Sequence, residues 1–127
     1  MPKQTIGIPQ IELSWSAWTA WNDLKVDARH GMGVPVPNKP GVYEVKYIDD
    51  KERLTIGKTS NLRGRIKQGL VKGNRPHSTG QKIRPKEDLS RVAIRWALTD
   101  RPGAAEEELH KRYIKRFKRL PKYTEHT

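Results

Sequence analysis

Two strand-like runs joined by a short turn constrain the fold of this chain more than any other feature. In the first run the side chains alternate between two faces, with Val42, Glu44, Lys46 and Ile48 on one and Tyr43, Val45 and Tyr47 on the other. Alternation with a period of two is typical of a β-strand. The turn formers Asp49 and Asp50 follow, and a second run covers residues 53–57. The pattern therefore predicts a β-hairpin.

A helix is predicted directly after this hairpin. Thr59 or Ser60 is suited to cap its amino terminus, and Gly73 is suited to end it. Apolar residues recur at helical spacing between these positions, namely Leu62, Ile66 and Leu70. This stripe is expected to pack on the sheet.

The rest of the chain predicts an α+β domain. Residues 91–98 alternate as a third strand, and a last helix is expected from about Ala104 to Arg119. The order strand, strand, helix, strand, helix indicates a small three-stranded antiparallel sheet flanked by helices. We assign residues 40–127 to this domain and residues 1–39 to an amino-terminal extension with a Pro/Gly connector.

The extension carries three tryptophans, Trp15, Trp18 and Trp21, together with Leu24. Their spacing predicts a short helix within residues 10–30 whose indoles pack on the body of the domain. Stacking of exposed indoles on unpaired bases is the alternative use of these side chains.

Charge points to a nucleic-acid partner. The 127 residues include 26 Lys and Arg against 14 Asp and Glu, which gives a net charge of +12. A surplus of this size attracts a phosphate backbone, although a solvated basic surface is the simpler explanation. The chain has no cysteine, which excludes disulfides and thiolate metal sites. It shows no signal peptide and no apolar run of membrane-spanning length, so a cytoplasmic location without membrane contact is expected.

Two side chains match needs of phosphodiester hydrolysis, which requires a proton acceptor and positive charge near the phosphate. Tyr43 is a candidate proton acceptor if nearby positive charge assists it, and a half-buried strand tyrosine is its simpler interpretation. Arg65 completes the spacing Gly-x-Thr-x-x-Leu-x-x-Arg that begins at Gly57, at the edge of the buried helix stripe. Its guanidinium is suited to grip a phosphate with two donors.

Helical angle singles out one of three adjacent glutamates. At about 100 degrees per residue, Glu106 lies on the side of Leu109 and Tyr113, whereas Glu107 and Glu108 turn outward. A carboxylate on an inward face needs a cation or an ion pair. Glu106 is thus a candidate magnesium ligand, with an ion pair to Arg65 as the alternative.

Two histidines are candidates for supporting roles. His77, in a predicted loop, is suited to donate to phosphate or to assist the proton acceptor. His110 is expected to face inward and to have a packing or hydrogen-bonding role.

The motif Gly41-Val42-Tyr43, followed by Thr55-Ile56-Gly57 and then by residues 58–65, resembles the signature of the GIY-YIG nucleases. The resemblance covers residues 40 to about 124. It implies a three-stranded antiparallel sheet with helices and one-metal hydrolysis of nucleic acid with Mg²⁺ or Mn²⁺. Tyr43 matches the tyrosine of the first triplet, Gly57 the glycine of the second, Arg65 the family arginine and Glu106 the metal-binding glutamate.

The resemblance also implies a surface that contacts nucleic acid. At three positions, however, this chain differs from the usual GIY-YIG pattern. DNA is the expected substrate, with RNA as the alternative and with no small-molecule cofactor. Contacts are expected from Thr55, Gly57, Lys58, Thr59, Arg63 and Lys67. Thr55 stands where the family has a tyrosine, Gly69 where a histidine is often found, and Thr124 where an asparagine is common.

Three further interpretations compete with a GIY-YIG nuclease. The departures permit a nucleic-acid-binding module without hydrolysis on the same scaffold. The tripeptide Glu44-Val45-Lys46 imitates the carboxylate-x-lysine pair of another nuclease class, with only Asp23 and Asp27 as upstream aspartates. A basic protein of the ribosome or of a membrane surface would explain the charge alone.

Overall fold

The computed structural model describes residues 11–25, 34–72 and 79–124. It shows an α+β fold built on a four-stranded antiparallel sheet. The strands are β1 (Thr19–Ala20), β2 (Gly41–Tyr47), β3 (Thr55–Thr59) and β4 (Val92–Leu98). Their order across the sheet is β1-β4-β2-β3, so β2 is central and β3 is an edge strand.

Three helices accompany the sheet in the described part of the chain. They are α1 (Gly64–Lys72), which has π-type hydrogen bonding, α2 (Thr79–Ile83) and α3 (Pro102–Phe117). Short 3-10 turns cover Trp21–Lys25 and Leu89–Arg91. None of the helices that the structure describes has the length and apolar content needed to cross a bilayer.

The predicted hairpin and third strand are confirmed. β2 pairs with β3 so that Tyr43 lies opposite Gly57, and it pairs on its other side with β4 so that Tyr43 lies opposite Trp96. The second strand begins at Thr55 rather than at residue 53. Ile48 lies beyond the end of β2 and is 58% exposed.

The prediction for the amino-terminal segment holds only in part, since the helical turn covers Trp21–Lys25 alone, with Trp21 and Leu24 buried. Residues 11–18 are not helical, and Thr19 and Ala20 form a fourth strand paired with β4. Ser16 anchors this segment, because its backbone N–H donates to the Trp96 carbonyl and its Oγ accepts from the Trp96 N–H. Long-range pairing with β4 therefore replaces the local hydrogen bonds of the predicted helix.

The helix boundaries also differ from their predictions. Asn61, not Thr59 or Ser60, caps the first helix, since its Oδ1 accepts from the Gly64 N–H at 3.2 Å. The predicted stop at Gly73 lies outside the described residues.

The last helix begins and ends two residues earlier than predicted. It starts at Pro102, a residue tolerated in the first helical turn where the backbone N–H has no helical partner. It ends at Phe117, because Lys118 adopts a left-handed conformation with φ of 64°.

Each face of the sheet buries a separate apolar cluster. The larger one brings Tyr43 and Val45 of β2 against α1, α2 and the Trp21–Lys25 turn, and Trp21 and Leu24 are fully buried in it. The smaller cluster packs Ala105 of α3 against Val42 on the opposite face. Helices α1 and α3 thus cover opposite faces of the sheet.

Candidate active site

The side chain of Tyr43 passes directly over Gly57 on the neighbouring strand. A β-carbon on residue 57 would lie 2.3 Å from Tyr43 Oη and 2.4 Å from Cζ, which no side chain tolerates. Tyr43 itself is 4% exposed. Gly57 is therefore needed for the Tyr43 ring to occupy this position.

Two charges of opposite sign act on this phenol from different helices. Burial raises the pKa of Tyr43, the positive charge of Arg65 on α1 lowers it, and the negative charge of Glu106 on α3 raises it. Arg65 and Glu106 are 41 positions apart in the sequence. The fold therefore brings both charges within electrostatic range of Tyr43. The net direction is upward, so the phenol is protonated at neutral pH.

Arg65 lies exposed near the amino end of α1. No hydrogen bond or ion pair engages its guanidinium within the described part of the chain. Its Cδ is 3.2 Å from the position of a β-carbon on Gly69, one of the three departures from the family pattern. A side chain at residue 69 would crowd the arginine, whereas glycine leaves it room to move.

Glu106 differs from its two neighbouring glutamates in solvent exposure. Glu106 is half-buried, while Glu107 and Glu108 are exposed and form surface ion pairs with Lys111 at 3.6 Å and Arg112 at 3.1 Å. The inward direction predicted for Glu106 is confirmed. Across residues 11–25, 34–72 and 79–124, its carboxylate makes no hydrogen bond or ion pair. The predicted alternative of an ion pair with Arg65 is thus absent from this part of the chain.

Glu106 is the only protein ligand that the proposed metal site would have among the described residues. No group of three or more His, Asp or Glu side chains in the described residues is placed to hold a metal. A single carboxylate oxygen is nevertheless sufficient for Mg²⁺, which retains several waters and is often bound by one or two carboxylates plus substrate phosphate. The Glu106 carboxylate, which has no partner among the described residues, meets that requirement.

Thr55 and Thr124, two positions at which this chain differs from the GIY-YIG pattern, contact each other. Thr55 and Thr124 share a hydrogen bond of 3.0 Å between their hydroxyl oxygens, and Thr124 Oγ1 also accepts from the Ile56 N–H at 3.2 Å. Thr55 is buried, with 3% of its surface exposed. Its hydroxyl is therefore engaged inside the protein, and a phosphate would have to displace Thr124 to reach it.

Of the two histidines predicted to have supporting roles, the structure describes only His110. His110 is 1% exposed, and its Nε2 lies 3.1 Å from the Ile56 carbonyl oxygen, which matches the predicted hydrogen-bonding role. Its Nδ1 has no hydrogen-bond partner in the described structure. The ring therefore carries its proton on Nε2 and donates to the carbonyl. His77 lies outside the described residues.

The residues predicted to contact nucleic acid differ in how far the protein itself engages their side chains. Thr59 Oγ1 accepts from the Asn61 N–H at 3.0 Å, and Arg63 Nε donates to the Val36 carbonyl at 2.9 Å. Lys58 is exposed and reaches the first turn of α3, with Nζ 3.7 Å from the position of a β-carbon on Gly103. Lys67 is half-buried on α1. Lys58 therefore brings a further positive charge to the helix that carries Glu106.

The competing carboxylate Glu44 is held by two arginines on the other face of β2. Its Oε1 accepts from Arg53 Nε at 3.0 Å and from Arg95 Nη2 at 2.6 Å. Arg95 also stacks on Trp15 and Trp18, at 4.1 and 4.7 Å from the ring centroids. The cluster gives both indoles a packing partner. Glu44 points away from Tyr43, because neighbouring strand residues face opposite sides.

Sequence reasoning missed a cluster around Glu87. Its carboxylate accepts hydrogen bonds from Tyr47 Oη at 2.6 Å, from Lys122 Nζ at 2.8 Å and from Tyr123 Oη. These groups lie 35 to 40 positions from Glu87 in both directions along the chain. A local pattern carries no signal for such a contact.

Comparisons with protein-family models, with curated proteins and with solved structures find no match to this chain.

Proposed function

We propose that this protein is a metal-dependent endonuclease that hydrolyses phosphodiester bonds of DNA by a one-metal mechanism of the GIY-YIG type. One observation carries the proposal: the charges of Arg65 and Glu106, from separate helices, both act on the phenol of Tyr43. The net charge of +12 supports a polyanionic substrate.

Each of the three side chains has a distinct part in the proposed reaction. Glu106 holds Mg²⁺ or Mn²⁺ through its carboxylate, and the ion supplies positive charge where negative charge develops on the phosphate. Arg65 donates to phosphate oxygens, for which its guanidinium is available because no residue of the described part of the chain pairs with it. The ionised form of Tyr43 accepts a proton from the attacking water, and Arg65 favours that form by lowering the pKa of the phenol. As the water oxygen bonds to phosphorus, the P–O bond to the leaving sugar oxygen breaks, and that oxygen takes a proton from solvent.

The raised pKa of Tyr43 sets the expected pH dependence. Because burial keeps the phenol protonated at neutral pH, only a small fraction is able to accept a proton there. The cleavage rate should therefore rise as pH increases above neutrality.

Plasmid nicking in Mg²⁺ tests the proposal. Glu106→Gln, Arg65→Ala and Tyr43→Phe should each lower the rate by about 100-fold or more, because each removes a group that acts in the transition state. Glu107→Gln is a matched control one residue away, and it removes only an exposed ion pair. Arg112→Ala is the corresponding control for Arg65. Wild-type rates in both Glu106→Gln and Arg65→Ala would show that the site is wrongly assigned.

The second candidate function is a nucleic-acid-binding module that does not cleave. Two observations favour it: the Thr55 hydroxyl is engaged by Thr124, and burial raises the pKa of Tyr43. It predicts salt-sensitive binding of DNA without nicking in any divalent metal. Affinity that falls with salt in a wild-type protein that never cleaves would favour this function over hydrolysis.

A further inference from the structure

The carboxylate of Glu87 binds three donors at once and is almost fully enclosed. Only 6% of its side chain is exposed. Burial alone would raise the pKa of Glu87, but the hydrogen bonds from Lys122, Tyr123 and Tyr47 hold it at about 2. Two of the three donors belong to residues 121–124, here called the C-terminal segment. The charge of Glu87 therefore anchors this segment to the body of the domain.

The anchored segment lies along the edge strand β3. The Tyr123 N–H donates to the Leu54 carbonyl at 2.8 Å, and Thr124 Oγ1 accepts from the Ile56 N–H at 3.2 Å. The same hydroxyl bonds to Thr55. The C-terminal segment thus supplies hydrogen-bond partners to the outer edge of β3, on which none of the described strands pairs.

Strand β3 in turn positions the groups of the candidate active site. Ile56 precedes Gly57, over which the Tyr43 phenol passes. The Ile56 carbonyl also accepts from His110 Nε2 at 3.1 Å, one helical turn after Glu106 on α3. A shift of β3 would therefore move both Gly57 and the α3 face that carries Glu106.

We propose that Glu87 is a positioning residue of the candidate active site, which holds the C-terminal segment against β3 and thereby fixes that strand across from Tyr43. The catalytic consequence rests on the proposed nuclease function, whereas the positioning of β3 does not. Glu87 touches no reacting group in this scheme, since it acts through Tyr123 and Thr124.

The test compares Glu87→Gln with Glu107→Gln, which makes the same charge change at an exposed site. Amide hydrogen exchange is followed by NMR without metal or DNA, together with the ring resonances of Tyr43. We expect exchange of the Tyr123 and Ile56 amides to quicken by about ten-fold or more in Glu87→Gln, because charge-assisted hydrogen bonds are lost. The Tyr43 ring resonances should shift as well. Exchange in the β2–β4 ladder and all signals of Glu107→Gln should stay as in the wild type.

A second pair of variants tests the step from Thr124 to β3. Thr124→Val keeps the shape of the side chain but removes its hydroxyl, whereas Thr124→Ser retains the hydroxyl. Faster Ile56 exchange in Thr124→Val and near wild-type exchange in Thr124→Ser support the proposal. If Glu87→Gln does not fold, the Thr124 variants alone test whether the C-terminal segment holds β3 in place.

Kinetics provide the catalytic part of the test. In Glu87→Gln we expect kcat for nicking to fall by about ten-fold with KM nearly unchanged, as when transition-state geometry is disturbed. Unchanged exchange of the Ile56 and Tyr123 amides, or faster exchange with unchanged kcat, overturns the positioning role. If the wild-type protein does not cleave, the nuclease proposal fails, and the exchange and Tyr43 signals alone decide the role of Glu87.

Discussion

Tyr43 occupies the space that a β-carbon on Gly57 would need, with its hydroxyl 2.3 Å from that position. The two residues stand opposite each other on neighbouring strands. A single close approach thus couples the two triplets of the motif, and it does so at the phenol on which Arg65 and Glu106 act.

Gly57→Ala should disturb this arrangement. The added methyl group meets the Tyr43 ring, so we expect the free energy of unfolding to fall by about 1–3 kcal/mol and nicking to decrease. Gly64→Ala is the matched control, since its nearest neighbour is an ordinary 3.4 Å from the new carbon. Denaturant unfolding measures both variants. Equal stability of Gly57→Ala and the wild type would contradict the observed packing.

The four tyrosines should make the protein sensitive to alkali. Burial raises the pKa of Tyr43, Tyr113 and Tyr123 above 10.0, and the hydrogen bond to Glu87 raises that of Tyr47. A folded-state pKa above the unfolded value contributes stability that is present below pH 10 and is lost as pH rises toward the folded pKa. Phenolate absorbance of the native protein should therefore appear at higher pH than in denaturant. Coincident titrations in the two states would contradict this prediction.

Glu87 should contribute to stability in the opposite pH direction. Its pKa is about 2 in the folded protein against an ordinary value of 4.5. The contribution is therefore complete above pH 4.5 and is lost as pH falls toward 2. The difference in Tm between wild type and Glu87→Gln should be largest above that window and should vanish at its lower end. A difference that does not depend on pH would argue against an ionised Glu87.

Glu44→Gln should lower stability and spare cleavage. The Glu44 side chain is 5% exposed and pairs with Arg53 and Arg95, whose side chains are 19% and 22% exposed. Loss of its charge leaves two arginines incompletely paired, at a cost of about 1–3 kcal/mol after allowing for their exposure. Glu108→Gln, which breaks an exposed pair, should change stability little. Loss of nicking in folded Glu44→Gln would instead favour the carboxylate-x-lysine interpretation.

Periodic patterns predicted the parts of the fold in which one face is buried. The alternation at 42–48 and 91–98 identified β2 and β4, and the helical angle distinguished Glu106 from its exposed neighbours. These predictions succeeded because the side-chain period follows directly from backbone geometry. The prediction that Arg65, Glu106 and Tyr43 belong to one site came from the resemblance to the GIY-YIG nucleases. No local pattern in the sequence joins residues that lie on separate helices.

Predictions failed where distant contacts decide the local structure. Tryptophans at a spacing of three indicated a helix, yet Trp15 and Trp18 pack around Arg95, and Ser16 bonds to the backbone of Trp96. These partners, Arg95 and Trp96, lie about 80 positions away in the sequence, so the local pattern near residue 16 does not indicate them. The Glu87 cluster was missed for the same reason, because its donors come from both sides along the chain.

The covering of β3 by residues 121–124 has a consequence for behaviour in concentrated solution. An uncovered outer strand offers its free N–H and C=O groups to a strand of another molecule, which is a route to fibrous assembly. Here Tyr123 and Thr124 already use the Leu54 carbonyl and the Ile56 N–H. Strand addition from a second molecule would first have to displace these residues, so loss of the Glu87 contacts is expected to make assembly through this edge easier.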